Sequence, residues 1–300
     1  MNTHIGSLLS SDAPPRLSYE FFPPKTDKGR DNLAALLPVL AETNPDFTTI
    51  TYGAGGSTQA ASFAIAELLQ QAGMRPVMPH LTCVGATKAE LEIIINGIHA
   101  RGHRNIMALR GDPPAGETAF TVAKDGLANA RDLVALIKAT HADICCGVAG
   151  YPETHPEASS PEAELDYLKA KMDAGADFIT TQLFFNNRHY FDFVERCQQA
   201  GITIPILPGL LPAVSLPQVE RFTKLCQAEF PEELRSRMEA AGDAAEAVEE
   251  VGIEWAAAQA DDLLAHGAPG MHLYILNRRT AATHPAIRDV VSRHCIPPST

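Results

Sequence analysis

Two carboxylates stand where a carboxylate is costly to keep. Glu20 lies inside the apolar run Leu17-Ser18-Tyr19-Glu20-Phe21-Phe22. Burial disfavours the charged form of an acid, so the Glu20 pKa is expected to rise, as a general acid near neutral pH requires. A structural carboxylate paired to a buried Lys or Arg explains the same residue as well. Asp112 closes the stretch Ile106-Met107-Ala108-Leu109-Arg110-Gly111-Asp112, after which Pro113 and Pro114 forbid a strand to continue. Its neighbour Arg110 is expected to keep it ionised, giving two carboxyls tuned to different roles. Taken alone, the Arg110–Asp112 pair reads first as a turn that ties a loop down.

Other polar residues fall at comparable places. Gly53-Ala54-Gly55-Gly56-Ser57-Thr58 precedes a helix and can offer backbone N–H groups to a phosphate, although glycine-rich loops of this kind are commonplace. His80 reads equally as a ligand or as a hydrogen-bonded core histidine. The loop Tyr151 to Pro156 holds two prolines and His155, a rigid polar segment better suited to binding than to filling space. On the helix that Ser160 and Pro161 begin, Leu165, Leu168 and Met172 form an apolar stripe. Glu164, Tyr167 and Lys171 repeat that spacing one residue earlier, and spacing alone makes them a solvated face. The Glu-rich run 244–250 reads the same way. His80 with Cys83, and His294 with Cys295, lack a second pair at zinc-site spacing, so no metal is expected.

The elements that must position these groups alternate along the chain. Apolar runs predict strands at 17–22, 47–51, 77–81, 106–109, 144–149, 178–181, 204–207 and 272–276. Helical spacing or caps predict helices at 31–43, from Ser57 or Thr58 to about Ala72, from the Thr87–Glu90 capping box to Arg101, and at 130–141. Further helices are expected from Ser160, at 190–200, from Ser215 to Cys226, over 231–265 with a break at Gly242, and at 286–294. Pro79 sits awkwardly for a central strand. Repeated βα units without a Gly-x-Gly-x-x-Gly fingerprint fit a (β/α)8 TIM barrel with extra helices before the last strand. A doubly wound open sheet is the rival. Thr51, His80, Arg110, Asp112, Tyr151, His155, Gln182 and Arg278 all lie at or just past strand C-termini, and a barrel gathers those ends on one rim. Residues 1–15 read as a loosely held N-terminal arm and 16–300 as a single barrel domain.

Composition narrows the partners. Hydrophobic content of 45% and charged content of 20% suit a globular protein with a large core. A net charge of −12 argues against a nucleic-acid or anionic-membrane partner. No apolar run approaches the roughly 18 residues of a membrane span, and no signal-peptide core opens the chain. The six cysteines have no framework spacing, which leads to the expectation of a reduced, cytoplasmic protein.

Read together, several motifs resemble the bacterial methylenetetrahydrofolate reductase family. They are Tyr19-Glu20-Phe21-Phe22-Pro23-Pro24, Thr51-Tyr52-Gly53-Ala54, Pro79-His80-Leu81-Thr82-Cys83, Leu109-Arg110-Gly111-Asp112 and Tyr151-Pro152-Glu153-Thr154-His155-Pro156-Glu157. Asp173-Ala174-Gly175-Ala176, Thr181-Gln182-Leu183-Phe184-Phe185, Pro208-Gly209-Leu210-Leu211-Pro212 and Tyr274-Ile275-Leu276-Asn277-Arg278 complete an ordered series from about 17 to 295. The resemblance implies a flavoprotein barrel that reduces 5,10-methylenetetrahydrofolate to 5-methyltetrahydrofolate for methionine synthesis. It implies FAD as cofactor, NADH or NADPH as donor, ping-pong hydride transfer, and a homo-oligomer. By resemblance Glu20 protonates the folate, and Asp112 lies near flavin and folate. Thr51 and Gln182 match nicotinamide or folate contacts, and Arg278 a folate contact. Tyr52, Ala54, His80, Arg110, Gly111, Ala130, Tyr151, His155, Ala158 and Lys171 match FAD positions, with Glu164 and Tyr167 on the same helix. The chain departs from the family pattern at Glu164, Tyr167, Ala170 and Leu216. The alternatives are another flavin or pterin oxidoreductase on this barrel, or a flavin-binding regulatory protein without turnover.

Overall fold

Strand parity decides the layout, because successive side chains of a strand point to opposite faces. The computed structural model describes residues 3–10, 13–51, 59–112 and 120–295. Six strands, β1 (Arg16–Phe21), β2 (Phe47–Ile50), β3 (Val77–Thr82), β4 (Asn105–Leu109), β5 (Cys145–Gly150) and β6 (Phe178–Thr181), pair in parallel, each with the next. β7 (Ile206–Leu207) pairs with β6, while β8 (Gly209–Leu210) pairs with β9 (Gly270–Leu273), which returns to β1. Only Pro208 separates β7 from β8, so one chain segment joins both ends of the sheet and closes a barrel of parallel strands. Proline lacks the N–H that a continuous strand would donate, yet its carbonyl accepts from His272 N–H at 2.9 Å. The open-sheet alternative is thereby set aside.

Outward residues such as Tyr19, Phe21, Ile50, Leu81, Ile106, Val148 and Ile179 pack against the surrounding helices as the main core. Inward residues Phe47, Met78, Met107, Cys145, Phe178 and Leu207 fill the lower barrel. Gly147 is required there, since a Cβ would come within 2.6 Å of the Phe178 ring.

Six of the helices begin where a short polar side chain caps them, at Thr26, Thr87, Asn129, Ser160, Asn186 and Ser215. α1 spans Ile5–Leu8, α2 Asp27–Ala41, α3 Gln59–Gln71, α4 Lys88–Ala100, α5 Ala130–Thr140 and α6 Pro161–Asp173. α7 spans Asn187–Gln199, α8 Leu216–Cys226, α9 Glu232–Ala240, α10 Ala245–Ala265, α11 Thr280–Thr283 and α12 Pro285–His294. The Thr87–Glu90 capping box and the Ser160, Pro161 start form as the sequence predicts. α2 starts earlier than predicted because Thr26 accepts from Gly29 N–H, and α7 because Asn186 accepts from Arg188 N–H. α8, α9 and α10 cover a separate cluster of Leu183, Phe185, Leu211, Val219, Leu234 and Met238.

The arm is a correction. Residues 1–15 do not lie loosely where they are described: Ile5 and Leu9 are buried against Phe47, Met78 and Phe178 and plug the bottom of the barrel. Burying two such side chains contributes roughly 1.5–3 kcal/mol each. The reason the sequence hides is Asn105, a buried amide at the start of β4. Its Oδ1 accepts from Ile5 N–H at 2.8 Å and its Nδ2 donates to Thr3 O at 3.0 Å. The barrel is closed below and open above.

Candidate active site

Above the plug, a cavity of about 700 Å³ opens at the C-terminal ends of the strands. Its floor is built on strands. Parity turns Ser18 and Glu20 of β1, Thr49 of β2, His80 of β3 and His272 of β9 inward. Glu20 Oε2 lies 3.4 Å from His80 Nε2 and 3.5 Å from His272 Nε2, and it accepts from Thr49 Oγ1 at 3.5 Å. Ser18 Oγ lies 2.8 Å from His272 Nδ1. All five side chains are buried, and neither histidine Nε2 has an aligned hydrogen bond among the described residues.

The expected rise of the Glu20 pKa does not occur. Burial is the largest single influence and pushes it up, but His272, His80 and Thr49 together outweigh burial and hold the carboxyl below its ordinary range. Burial pulls the His80 pKa down, with Glu20 opposing. Sequence reasoning missed the partner: His272 lies two residues before Tyr274 and faces Ser18 and Glu20, so strand parity held the signal. Tyr274 itself borders the cavity and donates to Thr181 O at 2.6 Å.

The outer wall is built on helices and loops. α6 carries Glu164 and Lys171 into the cavity, buried to 5% and 4% exposure, so the polar stripe is not a solvated face. Lys171 Nζ donates to Ala149 O at 3.0 Å and lies 4.6 Å from the centre of the Tyr167 ring. Burial pulls its pKa down to about 8, against the pull of Glu164. Among the described residues Glu164 Oε1 is buried without a partner, as is Thr82 Oγ1, and both residues line the cavity. Tyr167 Oη accepts from Ala130 N–H at 3.0 Å, at the start of α5, where Asn129 already caps Asp132 N–H.

Arg110 does not pair with Asp112. Its guanidinium binds both carboxylate oxygens of Glu157, at 2.5 and 3.0 Å, and this contact is what raises its pKa. Asp112 is exposed on the cavity rim beside Gly111, whose φ of +91° and tight contact with Val84 exclude a side chain. Glu157 closes the Tyr151–Glu157 motif, but nothing in the sequence marks it as the partner of Arg110. The loop after β5 is held by its own contacts: Tyr151 and His155 meet edge to face at 4.5 Å, and His155 Nδ1 accepts from Glu157 N–H at 3.0 Å.

The structure thus brings most of the sequence-predicted residues to one cavity. Glu20, Thr51, His80, Arg110, Gly111 and Asp112 line it from the first four strands. Ala130, Tyr151, His155, Ala158, Glu164, Tyr167, Lys171 and Gln182 line it from the next units. Arg278 does not: it is exposed on the turn past β9, after Leu276 and Asn277 adopt φ of +50° and +56°, and it is outside the cavity lining. Tyr52 and Ala54 lie outside the described residues, with the rest of the glycine-rich loop. An apolar lip of Phe22, Phe222 and Leu225 also borders the opening, and sequence reading did not single it out.

Comparison with known proteins matches the family model described as methylenetetrahydrofolate reductase over residues 7–288. A probable methylenetetrahydrofolate reductase (NADH) of Oryza sativa is 40% identical over 275 residues, covering 88% of this chain and 46% of that one. The 5,10-methylenetetrahydrofolate reductase of Escherichia coli is 36% identical over 262 residues, covering 87% of this chain and 86% of that one. The chain therefore spans about half the length of its plant relatives and most of the length of the bacterial ones. An uncharacterized Clostridium thermocellum protein that binds two copies of 5-methyl-5,6,7,8-tetrahydrofolic acid superposes with a TM-score of 0.64. Its identity is 15%, over 96% of this chain and 99% of that one, a likeness of fold alone.

Proposed function

Because the chain belongs to the methylenetetrahydrofolate reductase family, we propose that it reduces 5,10-methylenetetrahydrofolate to 5-methyltetrahydrofolate with NADH as donor and FAD held in the cavity. The observation that carries this reading is the buried Glu20 at the cavity floor, flanked by two imidazoles. Binding a flavin does not require such a group, whereas opening the folate ring needs a proton. That also speaks against a purely regulatory flavin protein.

The residues fit a flavin dinucleotide. Arg110, Lys171 and the start of α5 place positive charge along the outer wall, where a pyrophosphate would be held. Glu164 Oε1 and Thr82 Oγ1, without partners among the described residues, would take hydroxyl and ring hydrogen-bonding groups. When bound, the flavin would accept a hydride from NADH and pass it to the folate. The NADH in the names of the plant relatives supports that donor.

The chain's own residues do the proton chemistry. Glu20 Oε2 lies within 3.5 Å of both His80 Nε2 and His272 Nε2, and Glu20 and His80 both border the cavity. Held ionised in the free protein, Glu20 would take up a proton as the folate buries the floor and pass it to the folate, opening the five-membered ring to an iminium. Asp112, at the rim, supplies negative charge to that cation. Thr51 and Gln182 orient the nicotinamide or folate ring, and the Tyr151–His155 loop closes one side. Four of the six cysteines lie at or below 2% exposure and none is paired, which supports a reducing, cytoplasmic setting for a step that feeds methionine synthesis.

The test is the absorbance spectrum of the purified protein. A flavin spectrum that bleaches anaerobically with NADH and returns with methylenetetrahydrofolate is expected. Protein that cannot be reconstituted with FAD would overturn the reading, and return of colour with a different pterin would move it to another oxidoreductase of the same barrel.

A further inference from the structure

His272 belongs to the floor but not to the cavity lining: it sits on β9 against Glu20, with 1% of its surface exposed. Its Nδ1 lies 2.8 Å from Ser18 Oγ, and Ser18 Oγ in turn donates to Met271 O at 3.3 Å. A serine hydroxyl has one hydrogen. Both contacts are hydrogen bonds together only when that hydrogen points to the carbonyl, so that Ser18 Oγ accepts from Nδ1–H. The other ring nitrogen, Nε2, then faces Glu20 Oε2 at 3.5 Å and has no hydrogen-bond partner among the described residues. With His272 neutral and Glu20 ionised, two lone pairs would oppose each other in a buried site, which a single proton between them prevents. We propose that His272 Nε2 holds the proton that Glu20 passes to the folate, and that Ser18 fixes the imidazole so that this nitrogen gives it up. This role rests on Glu20 as the acid of the folate step. His272 acts through Glu20 and is a positioning residue.

The surroundings offer no rival source. Below, the plug and the inward residues close the barrel, and above, a bound folate covers the cavity. The titratable groups near the ring are Glu20 on β1, His80 on β3 and Tyr274 on β9 itself. β2 presents Phe47, whose ring stacks at 6.3 Å, and β8 pairs through Gly209. Tyr274 meets His272 edge to face at 5.2 Å, and burial lifts its phenol well above the ordinary range, so it stays neutral. Burial, with His272 adding to it and Glu20 opposing, pulls the His80 pKa down, so the two imidazoles are not charged together. Of the groups that hold Glu20 below its ordinary range, His272 is the strongest.

The proton moves in two transfers. First the His272 Nε2–H bond breaks as Glu20 Oε2–H forms, and a cation and an anion become two neutral groups. Glu20 then gives the proton to a nitrogen of the folate's five-membered ring. The bond from that nitrogen to the bridging carbon breaks, its electron pair stays on the nitrogen, and the iminium forms. The floor is left with Glu20 ionised and His272 neutral, one negative charge facing the new cation. When the product leaves, Glu20 returns a proton from the open cavity to the pair.

The experiment is the pH dependence of each half-reaction of the flavin-loaded full chain, by stopped flow, in wild type, His272→Gln and Ser18→Ala. Gln keeps an N–H toward Glu20 but has no proton to give, and Ser18→Ala, a smaller change, tests the same claim independently. Two bases sharing one proton hold it to higher pH than Glu20 alone, so reoxidation by methylenetetrahydrofolate should fail at lower pH in both variants. The alkaline limb should move by about one pH unit in His272→Gln, a loss of about tenfold in rate on its alkaline side, and by less in Ser18→Ala. Reduction by NADH should keep its rate and pH profile. A limb that stays in place in both variants overturns the proposal, because a merely structural role lowers the rate equally at every pH. Equal slowing of both half-reactions overturns it too. Wild-type flavin that methylenetetrahydrofolate does not reoxidise refutes the reductase reading itself, and this role with it.

Discussion

The floor and the outer wall of one cavity are built by opposite means. The floor is five buried side chains on four strands of a closed barrel, and parity leaves each one direction to face. The wall is assembled from α6, the start of α5 and two loops, and its groups answer one another through local pairs: Arg110 with Glu157, Tyr167 with Ala130, Lys171 with Ala149. Ladder hydrogen bonds and the surrounding core hold a strand-borne group in place, whereas a helix-borne group can exchange partners with a ligand. The difference teaches where substitution should be tolerated. The floor sets the chemistry and the wall sets how tightly the flavin is held.

The largest expected effect breaks the floor. Glu20→Gln keeps size and hydrogen bonding but donates no carboxyl proton, so steady-state folate reduction should fall by about 10²–10⁴-fold with flavin content unchanged. Loss of flavin from this variant would mean that the floor also holds the cofactor, and the comparison would dissolve.

On the wall, Lys171→Ala should weaken FAD binding by roughly 10–100-fold, the size of one hydrogen bond to a charged group, measured by fluorescence titration of the apoprotein. The pH dependence follows from its depressed pKa of about 8 in the free protein. Below that pH Lys171 is a cation and attracts a phosphate; above it the charge is lost. FAD affinity should therefore start to decline as pH rises through about 8, and the bend should vanish in Lys171→Arg. A bend that survives in the Arg variant assigns the titration to another group.

The smallest effect sharpens the comparison. Tyr167 Oη occupies the Ala130 N–H that a phosphate could use, so Tyr167→Phe should tighten FAD binding a few-fold, within the roughly 0.5–1.5 kcal/mol of a neutral hydrogen bond. Weakening beyond tenfold in the same titration would make Tyr167 a direct ligand.

The floor was the more legible half in sequence, and its electrostatics the less so. Glu20 and His80 stand out because polar residues interrupt apolar strands, and the alternating βα pattern places them on one rim. The direction of the Glu20 shift was not legible, because it depends on His272, which becomes a neighbour only when β9 pairs with β1 across the closed barrel. The arm was misread for a similar reason: Ile5 and Leu9 find their burial through Asn105, 100 residues from Ile5. On the wall, spacing placed Glu164, Tyr167 and Lys171 on one face of α6, but a face does not say whether it meets solvent or a cavity. Arg110 beside Asp112 suggested a pair, yet the loop after β5 delivers Glu157 to it from 47 residues away. Arg278, just past a turn with two positive φ angles, is exposed and outside the cavity lining, so a place past a strand end does not by itself put a side chain on the wall.

The central claim is that the floor supplies a proton to the folate and nothing to the flavin's reduction. Stopped-flow absorbance of Glu20→Gln, with each half-reaction run separately and anaerobically, tests it most directly. Reduction by NADH at a near-normal rate, with reoxidation by methylenetetrahydrofolate slowed by about 10²–10⁴-fold, is the predicted result. Equal slowing of both halves, or of neither, would contradict it.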